Sequence, residues 1–249
     1  MKFSDLTAIV TGAGQGLGRA TAIELAEAGV RPAVCDIQPD QLKRTVELLE
    51  AVSDREVLYE TLDVSDGAAV KRFVSRVEAE AGSVDILVNN AAIHPMHSIE
   101  QISEDEWDQV FAVNVKSCFY FVRAVLSGMQ QRGFGRIINV ASEAGKNGGT
   151  VCAPHYAATK GAVLAFTRNI ARNVGKHNIT VNAVAPGRIS SAMAGSASDP
   201  QNAVYIERSA VKRLGEAVDV ARAIRFLADP DSVFVTGETL NVNGGTVMD

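Results

Sequence analysis

Short apolar runs alternate with longer amphipathic stretches along the whole chain. "LTAIVT" (Leu6 to Thr11) reads as a buried strand, and a helix is predicted from about Gly16 to Ala28, with Leu17, Ala20, Ile23 and Leu25 at small or apolar positions. Gly29 ends it, as a C-terminal glycine does. "RPAVCD" is predicted as a second strand, with Pro32 near its start, where a missing N–H is tolerated. A helix from about Asp40 to Ala51 follows, then the strand "EVLYETLDV", a helix from about Asp66 to Ala81, and the strand "VDILVNNA". A long helical region is expected over Glu104 to Gln131, then the strand "GRIINVAS" and a helix from about His155 to Val174. "ITVNAVAP" is a sixth strand, "VDVARAIRFLAD" a helix, and "ETLNVNGG" a last strand.

Near-continuous apolar strands separated by helices imply a parallel sheet covered on both faces. Right-handed crossovers leave few topologies, so the expected fold class is α/β, a single-domain doubly wound parallel sheet of Rossmann type over residues 1–249. No linker or internal repeat interrupts it. The segment Ser190 to Arg213, rich in Ser, Ala and Gly, breaks the rhythm and is expected to be a substrate lid.

Composition narrows the function classes. The chain has 249 residues, 24 Lys and Arg against 29 Asp and Glu, and a formal net charge of −5. No basic block stands out, so no nucleic-acid partner is expected. No run approaches the ~20 apolar residues of a membrane span, the candidates near Phe119 to Val122 being short and followed by Arg123. No signal peptide is read at the N-terminus, and three scattered cysteines (Cys35, Cys118, Cys152) suit reduced thiols, which together predict a cytoplasmic protein. His94 and His97 flank Pro95 in "HPMH", which argues for a pocket-lining loop; no metal is expected.

"TGAGQGLG" (Thr11 to Gly18) joins the first strand to the first helix. Its glycines let the backbone turn tightly and let a pyrophosphate approach the helix N-terminus, where unpaired N–H groups and the dipole favour an anion. No Lys-Ser or Lys-Thr pair closes the turn, which excludes a nucleoside-triphosphate P-loop. Asp36, at the end of the second strand, suits a carboxylate that bonds an adenosine ribose and repels a 2′-phosphate, so NAD is expected over NADP. Arg19 is read on the helix rather than in the turn.

Ligands in open α/β sheets bind beyond the carboxyl ends of the strands. Those tips carry Asp63, Asn89 and Asn90, Ser142, and Pro186 and Gly187, and the long helix adds Asn114. Tyr156 and Lys160 are four apart and therefore share a helix face. An ammonium there favours the phenolate and is expected to lower the tyrosine pKa toward working pH.

In these pieces the chain resembles the short-chain dehydrogenase/reductase family over essentially its whole length: "TGAGQGLG", "DV" at Asp63, "NNAA" at Asn89, Asn114, Ser142, "YAATK" at Tyr156, "PG" at Pro186, and "TGETLNVNGG". The resemblance implies Tyr156 as general acid/base, Lys160 as its partner, Ser142 as holder of the substrate oxygen, and Asn114 as anchor of a proton relay. It implies NAD contacts at Gly12, Gln15, Gly16, Leu17, Gly18, Asp36, Ile37, Asp63, Val64, Asn90, Ala91, Ala92, Tyr156, Lys160, Pro186, Gly187 and Ile189. Two departures stand out. Ala92 replaces the usual glycine, and Ser142 and Tyr156 are separated by one more residue than is common.

The substrate is expected to be a small alcohol or ketone: a secondary or cyclic alcohol, a polyol or a sugar-like hydroxyl compound. Substrate contacts are assigned to His94, Ser142, Lys146, Cys152, Tyr156, Arg188 and Met193, with Met96, His155, Val204 and Tyr205 as further walls. Lys146 and Arg188 either make the pocket cationic or point to water. The C-terminal part is also similar to 3-oxoacyl carrier-protein reductases, which generally use NADPH; that is the alternative function. A non-catalytic dinucleotide sensor is a remote one. Apolar residues on the two long helices, Phe119 among them, and the family's habit predict a homotetramer.

Overall fold

The computed structural model describes residues 2–149, 151–190 and 199–248. Its strands are β1 (Thr7–Thr11), β2 (Arg31–Asp36), β3 (Leu58–Thr61), β4 (Ile86–Asn89), β5 (Gly135–Val140), β6 (Ile179–Pro186) and β7 (Thr239–Val242). They form one seven-stranded sheet in the order β3-β2-β1-β4-β5-β6-β7, with every pair parallel. The helices are α1 (Gly16–Glu27), α2 (Pro39–Val52), α3 (Gly67–Ala81), α4 (Glu104–Phe111), α5 (Ser117–Arg132), α6 (Ala144–Asn147), α7 (Pro154–Val174), α8 (Ala203–Arg208) and α9 (Ala217–Ala228). The doubly wound fold class is therefore as expected, while α6 and α8 are short helices outside the sequence reading.

Strand alternation sends successive side chains to opposite faces. Ala8 and Val10 join Leu25, Leu42, Ile224 and Leu227 on one face. Ile9 joins Phe73, Val77, Phe121 and Val125 on the other. Both faces of the strands are thus consumed, which is why these runs read as apolar throughout.

The long helical region differs from its expectation. It is broken into α4, a wide π turn (Ala112–Lys116) and α5. Taken together, the 29 residues Glu104–Arg132 are long and apolar enough to cross a membrane by composition. Val110, Phe121, Val122, Val125 and Met129 are instead buried in the protein's own core, and Phe119 and Trp107 remain exposed. The surplus of apolar surface is smaller than the sequence suggests.

The chain reverses direction across the sheet between β1 and β4, which opens a crevice at their carboxyl ends. Asn90, just past β4, closes its floor: its side-chain amide donates to the carbonyls of Thr11 (2.9 Å) and Gly12 (3.0 Å). Gly18 packs under this contact, where an added methyl would overlap the Gly12 carbonyl oxygen and lie 2.5 Å from the Asn90 amide. A Gly18→Ala variant is expected to lose at least about 2 kcal/mol, because rigid backbone must shift. Thermal unfolding should show a Tm about 4–8 °C lower; an unchanged Tm would contradict the packing described.

Candidate active site

At the head of α1, Gln15 supplies no side-chain cap. The first N–H groups of the helix, which have no partner inside it, therefore face the crevice without a competing acceptor from Gln15. Beside them Asp36 is held by two backbone donors, Gly14 N to Oδ2 (2.8 Å) and Gln38 N to Oδ1 (2.9 Å). A methyl on Gly14 would sit 2.8 Å from that carboxylate, so only glycine allows the approach. A carboxylate has about four acceptor sites, which leaves capacity for further hydroxyl donors. Arg19 is turned under the loop: its guanidinium bonds the Gly14 carbonyl, Thr45 Oγ1 and Gln41.

Gln15, Leu17, Gly16 and Ile37 line the same end, with Ile37 and Gln15 exposed. Asp63 follows β3 and accepts from Ser65, and Val64 beside it is buried. Ala91 N bonds Thr11 Oγ1, and Ala92 is exposed. Pro186 and Gly187 are clamped between neighbours, by Glu143 N to the Pro186 carbonyl and by Gly187 N to the Val242 carbonyl. Ile189 bridges to Gly215.

The tyrosine helix α7 begins at Pro154, so Tyr156 lies in its first turn and Lys160 one turn further. Tyr156 is hydrogen-bonded to the Ser142 hydroxyl. Burial pushes the phenol up to about 12, opposed by the Ser142 bond. The expected lowering by Lys160 is therefore corrected: desolvation of the phenolate raises the pKa, and the group that opposes it is Ser142. Lys160 is itself buried, which pulls its pKa down to about 8. Its Nζ donates to the Val140 carbonyl at 2.8 Å and lies 5.6 Å from the centroid of the Tyr156 ring.

Asn114, in the π turn, is buried and does not reach Lys160 by any described bond. Its Oδ1 accepts from Ile93 N (2.8 Å), and its Nδ2 donates to the Ile93 carbonyl and to Thr159 Oγ1. The side chain thus joins the loop after β4 to the tyrosine helix. Such π turns recur where a helix must redirect one side chain.

The residues expected to contact substrate separate. His94 stacks on the Tyr156 ring, centroids 3.9 Å apart and planes at 24°. Burial and the charges of Lys160 and Arg188 pull its pKa to about 4, so the ring is neutral at neutral pH. Its Nε2 is buried without a hydrogen-bond partner among the described residues. Cys152 is half-buried, with Sγ 3.5 Å from the Gly148 carbonyl, and burial raises its thiol pKa. Lys146 is half-buried on α6.

Arg188 is engaged within the protein rather than simply pointing to water. Its Nε donates to Asn202 Oδ1 (3.0 Å), and its guanidinium lies 5.0 Å from the centre of the Tyr205 ring. It also walls a cavity of about 250 Å³ beyond β6, where Tyr205, Asn243 and Thr246 take part but Tyr156 and Ser142 do not. Met193 lies outside the described residues, as does most of the first half of the expected lid. Of its second half, α8 is helical and Val204 is exposed.

The sequence reading missed Glu106. Its two carboxylate oxygens contact His155 Nε2 (2.8 Å) and His97 Nδ1 (2.7 Å). His97 and His94 therefore serve different partners. His155 is fully buried rather than a pocket wall. No local signal marks Glu106, which looks like one more acid in the first turn of α4.

A model of the short chain dehydrogenase family matches residues 6–202. The chain is similar to the 3-oxoacyl-[acyl-carrier-protein] reductase FabG of Escherichia coli (strain K12), with 36% identity over 250 residues and 100% of each covered. A 3-oxoacyl-[acyl-carrier protein] reductase from Brucella melitensis superposes with a TM-score of 0.92 at 34% identity, covering 100% of this chain and 94% of that one. A blue fluorescent protein from a metagenomic library, solved in complex with NADPH, gives a TM-score of 0.91 at 32% identity, with 98% of each covered.

Proposed function

The chain belongs to the short-chain dehydrogenase family, and on that premise we propose that it is an NAD-linked oxidoreductase interconverting a secondary alcohol and its ketone, with Tyr156 as acid/base. The single observation that carries the NAD preference is Asp36: a carboxylate pinned by Gly14 and Gln38 at the tip of β2, with Arg19 engaged elsewhere. Negative charge fixed there disfavours a 2′-phosphate and accepts ribose hydroxyls.

The crevice suits a dinucleotide in two respects: N–H groups at the head of α1 that Gln15 does not cap, and the Asp36 acceptor. When bound, the nicotinamide group supplies or accepts the hydride. The chain's own residues handle the proton and the geometry. Ser142 donates toward the substrate oxygen, where charge develops. Tyr156, protonated at neutral pH, donates its proton to that oxygen during ketone reduction and takes one back during alcohol oxidation. Lys160 is fixed by Val140 beneath it, and Asn114 braces both the loop after β4 and the tyrosine helix through Thr159.

A second reading, NADPH-linked reduction of a 3-oxoacyl thioester, is favoured by the names of the relatives and by the NADPH in the metagenomic protein's structure. Initial rates on cyclohexanol, sorbitol, 3-hydroxybutyrate and an acetoacetyl thioester, with both cofactors in parallel, separate the two. Turnover of an alcohol with NAD and little with NADP is expected. Strict NADP(H) dependence with the thioester alone would replace the first reading by the second.

A further inference from the structure

We infer that Glu106 and His155 are positioning residues for Tyr156, a role that rests on Tyr156 being the acid/base proposed above. The network starts at the head of α7. A helix leaves its first N–H groups without intrahelical partners, and a capping side chain normally answers one of them. Here the N-cap is Ala153, which has no side-chain acceptor. The N–H of Tyr156 is answered instead by the Nδ1 of His155, at 2.8 Å.

That bond settles the state of the imidazole. Nδ1 must be the unprotonated acceptor, so in the neutral ring the proton sits on Nε2. Nε2 lies 2.8 Å from Glu106 Oε1 and donates to it. His155 is fully buried, so no water can substitute for either partner. The ring has one donor and one acceptor, and both are used.

Glu106 holds a second group. Its Oε2 is 2.7 Å from Nδ1 of His97, on the loop after β4. Three residues earlier on the same loop, His94 stacks face to face on the Tyr156 ring. One carboxylate therefore braces the tyrosine from two sides: the backbone through His155, and the ring through the His97 end of the loop. Glu106 is itself placed by Ser103, whose hydroxyl accepts from Glu106 N at the head of α4. The positive end of that helix favours a carboxylate there. No described bond of the network reaches Asp36, so the acceptor at the adenosine end of the crevice is left intact.

A displacement of about 1 Å at a reacting group can cost about 100-fold in rate. In the full-length protein, Glu106→Ala is expected to lower kcat about 10–100-fold, with KM for the substrate and the NADH dissociation constant, read by fluorescence, each within about threefold of wild type. Glu106→Gln is expected to recover most of the rate, because its amide oxygen still accepts from His155 Nε2–H. Rates are taken with the fastest of cyclohexanol, sorbitol, 3-hydroxybutyrate and ethyl acetoacetate.

A readout independent of any substrate is exchange of the Tyr156 amide proton. The chain has only four tyrosines, so nitrogen-15 tyrosine labelling resolves it by NMR. Exchange should quicken at least about tenfold in Glu106→Ala as His155 is released, and return toward wild type in Glu106→Gln. An unchanged kcat with unchanged exchange in Glu106→Ala would overturn the inference. So would a Gln variant as slow as the Ala variant, or a rate loss that merely tracks a fall in Tm or cofactor affinity. Tyr156→Phe run alongside keeps the two ideas apart. If it turns over at the wild-type rate, the acid/base reading has failed; if it is inactive while Glu106→Ala is fast, only the positioning role has.

Discussion

Replacing Tyr156 by phenylalanine is expected to lower turnover about 10³-fold, within the range that a positioned acid/base contributes, while leaving dinucleotide affinity within about twofold. The ring would keep its stack with His94 and its place in the first turn of α7. Only the hydroxyl that bonds Ser142 is removed, and with it the proton that a carbonyl oxygen must receive. In wild type, burial pushes the phenol up to about 12. The sign for pH follows: reduction needs the protonated phenol, so from the tyrosine's side its rate stays flat through neutrality and falls only as pH approaches that ionisation. Oxidation needs the deprotonated form and gains with rising pH. Steady-state rates in both directions, with NADH binding followed by fluorescence, make the comparison. A phenylalanine variant within tenfold of wild type would remove Tyr156 from the chemistry, and loss of binding in parallel would make it a structural residue.

The second large effect is expected at Asp36. Converting Asp36 to Asn keeps the size of the side chain and one oxygen acceptor but removes the charge. The ratio of kcat/KM for NAD to that for NADP should fall about 100-fold, equivalent to about 2.7 kcal/mol of discrimination. Part comes from weaker ribose bonding and part from lost repulsion of the 2′-phosphate. Because Asp36 also ties down Gly14 and Gln38, thermal unfolding of the variant must be measured beside the kinetics. Asn retains a carbonyl for one of the two N–H groups, so a modest Tm loss is compatible. A wild-type enzyme already faster with NADP, or a ratio that stays put in the variant, would end the NAD reading. The second outcome would direct attention to other groups around the adenosine end.

Several features were legible along the chain because each is written in neighbouring residues. Alternating apolar runs announced β2 and β6 with their observed bounds, and the other strands within a few residues. The glycine turn before α1, the acid at the tip of β2, and the four-residue spacing of Tyr156 and Lys160 are likewise local. Their physics is turn geometry, strand ends and helical period, none of which needs a distant partner. The π turn escaped notice because its residues, "AVNVK", have ordinary helical composition. The bonds that Asn114 makes from this turn, to Ile93 and Thr159, are with residues 21 and 45 positions away.

The balance of forces on the Tyr156–Lys160 pair was also out of reach of spacing alone. Two side chains on one helix face suggest that charge lowers the phenol. Only packing reveals that Lys160 is buried and Tyr156 half-buried, that desolvation prevails at Tyr156, and that Lys160 is bonded to the Val140 carbonyl on β5. The same holds for Arg188, whose partner Asn202 and ring neighbour Tyr205 belong to the segment before and within α8.

By itself, then, the sequence determined a doubly wound parallel sheet, a dinucleotide turn with an acidic strand tip, and a Tyr–Lys helix. These follow from periodicity and backbone chemistry within a few residues. Tertiary structure decided which loops meet at the crevice between β1 and β4, which groups lose their water, and how Glu106 comes to stand between His97 and His155, nine and forty-nine residues away. Such contacts depend on strand order and on burial, and both are properties of the assembled sheet and its helices rather than of any stretch of chain.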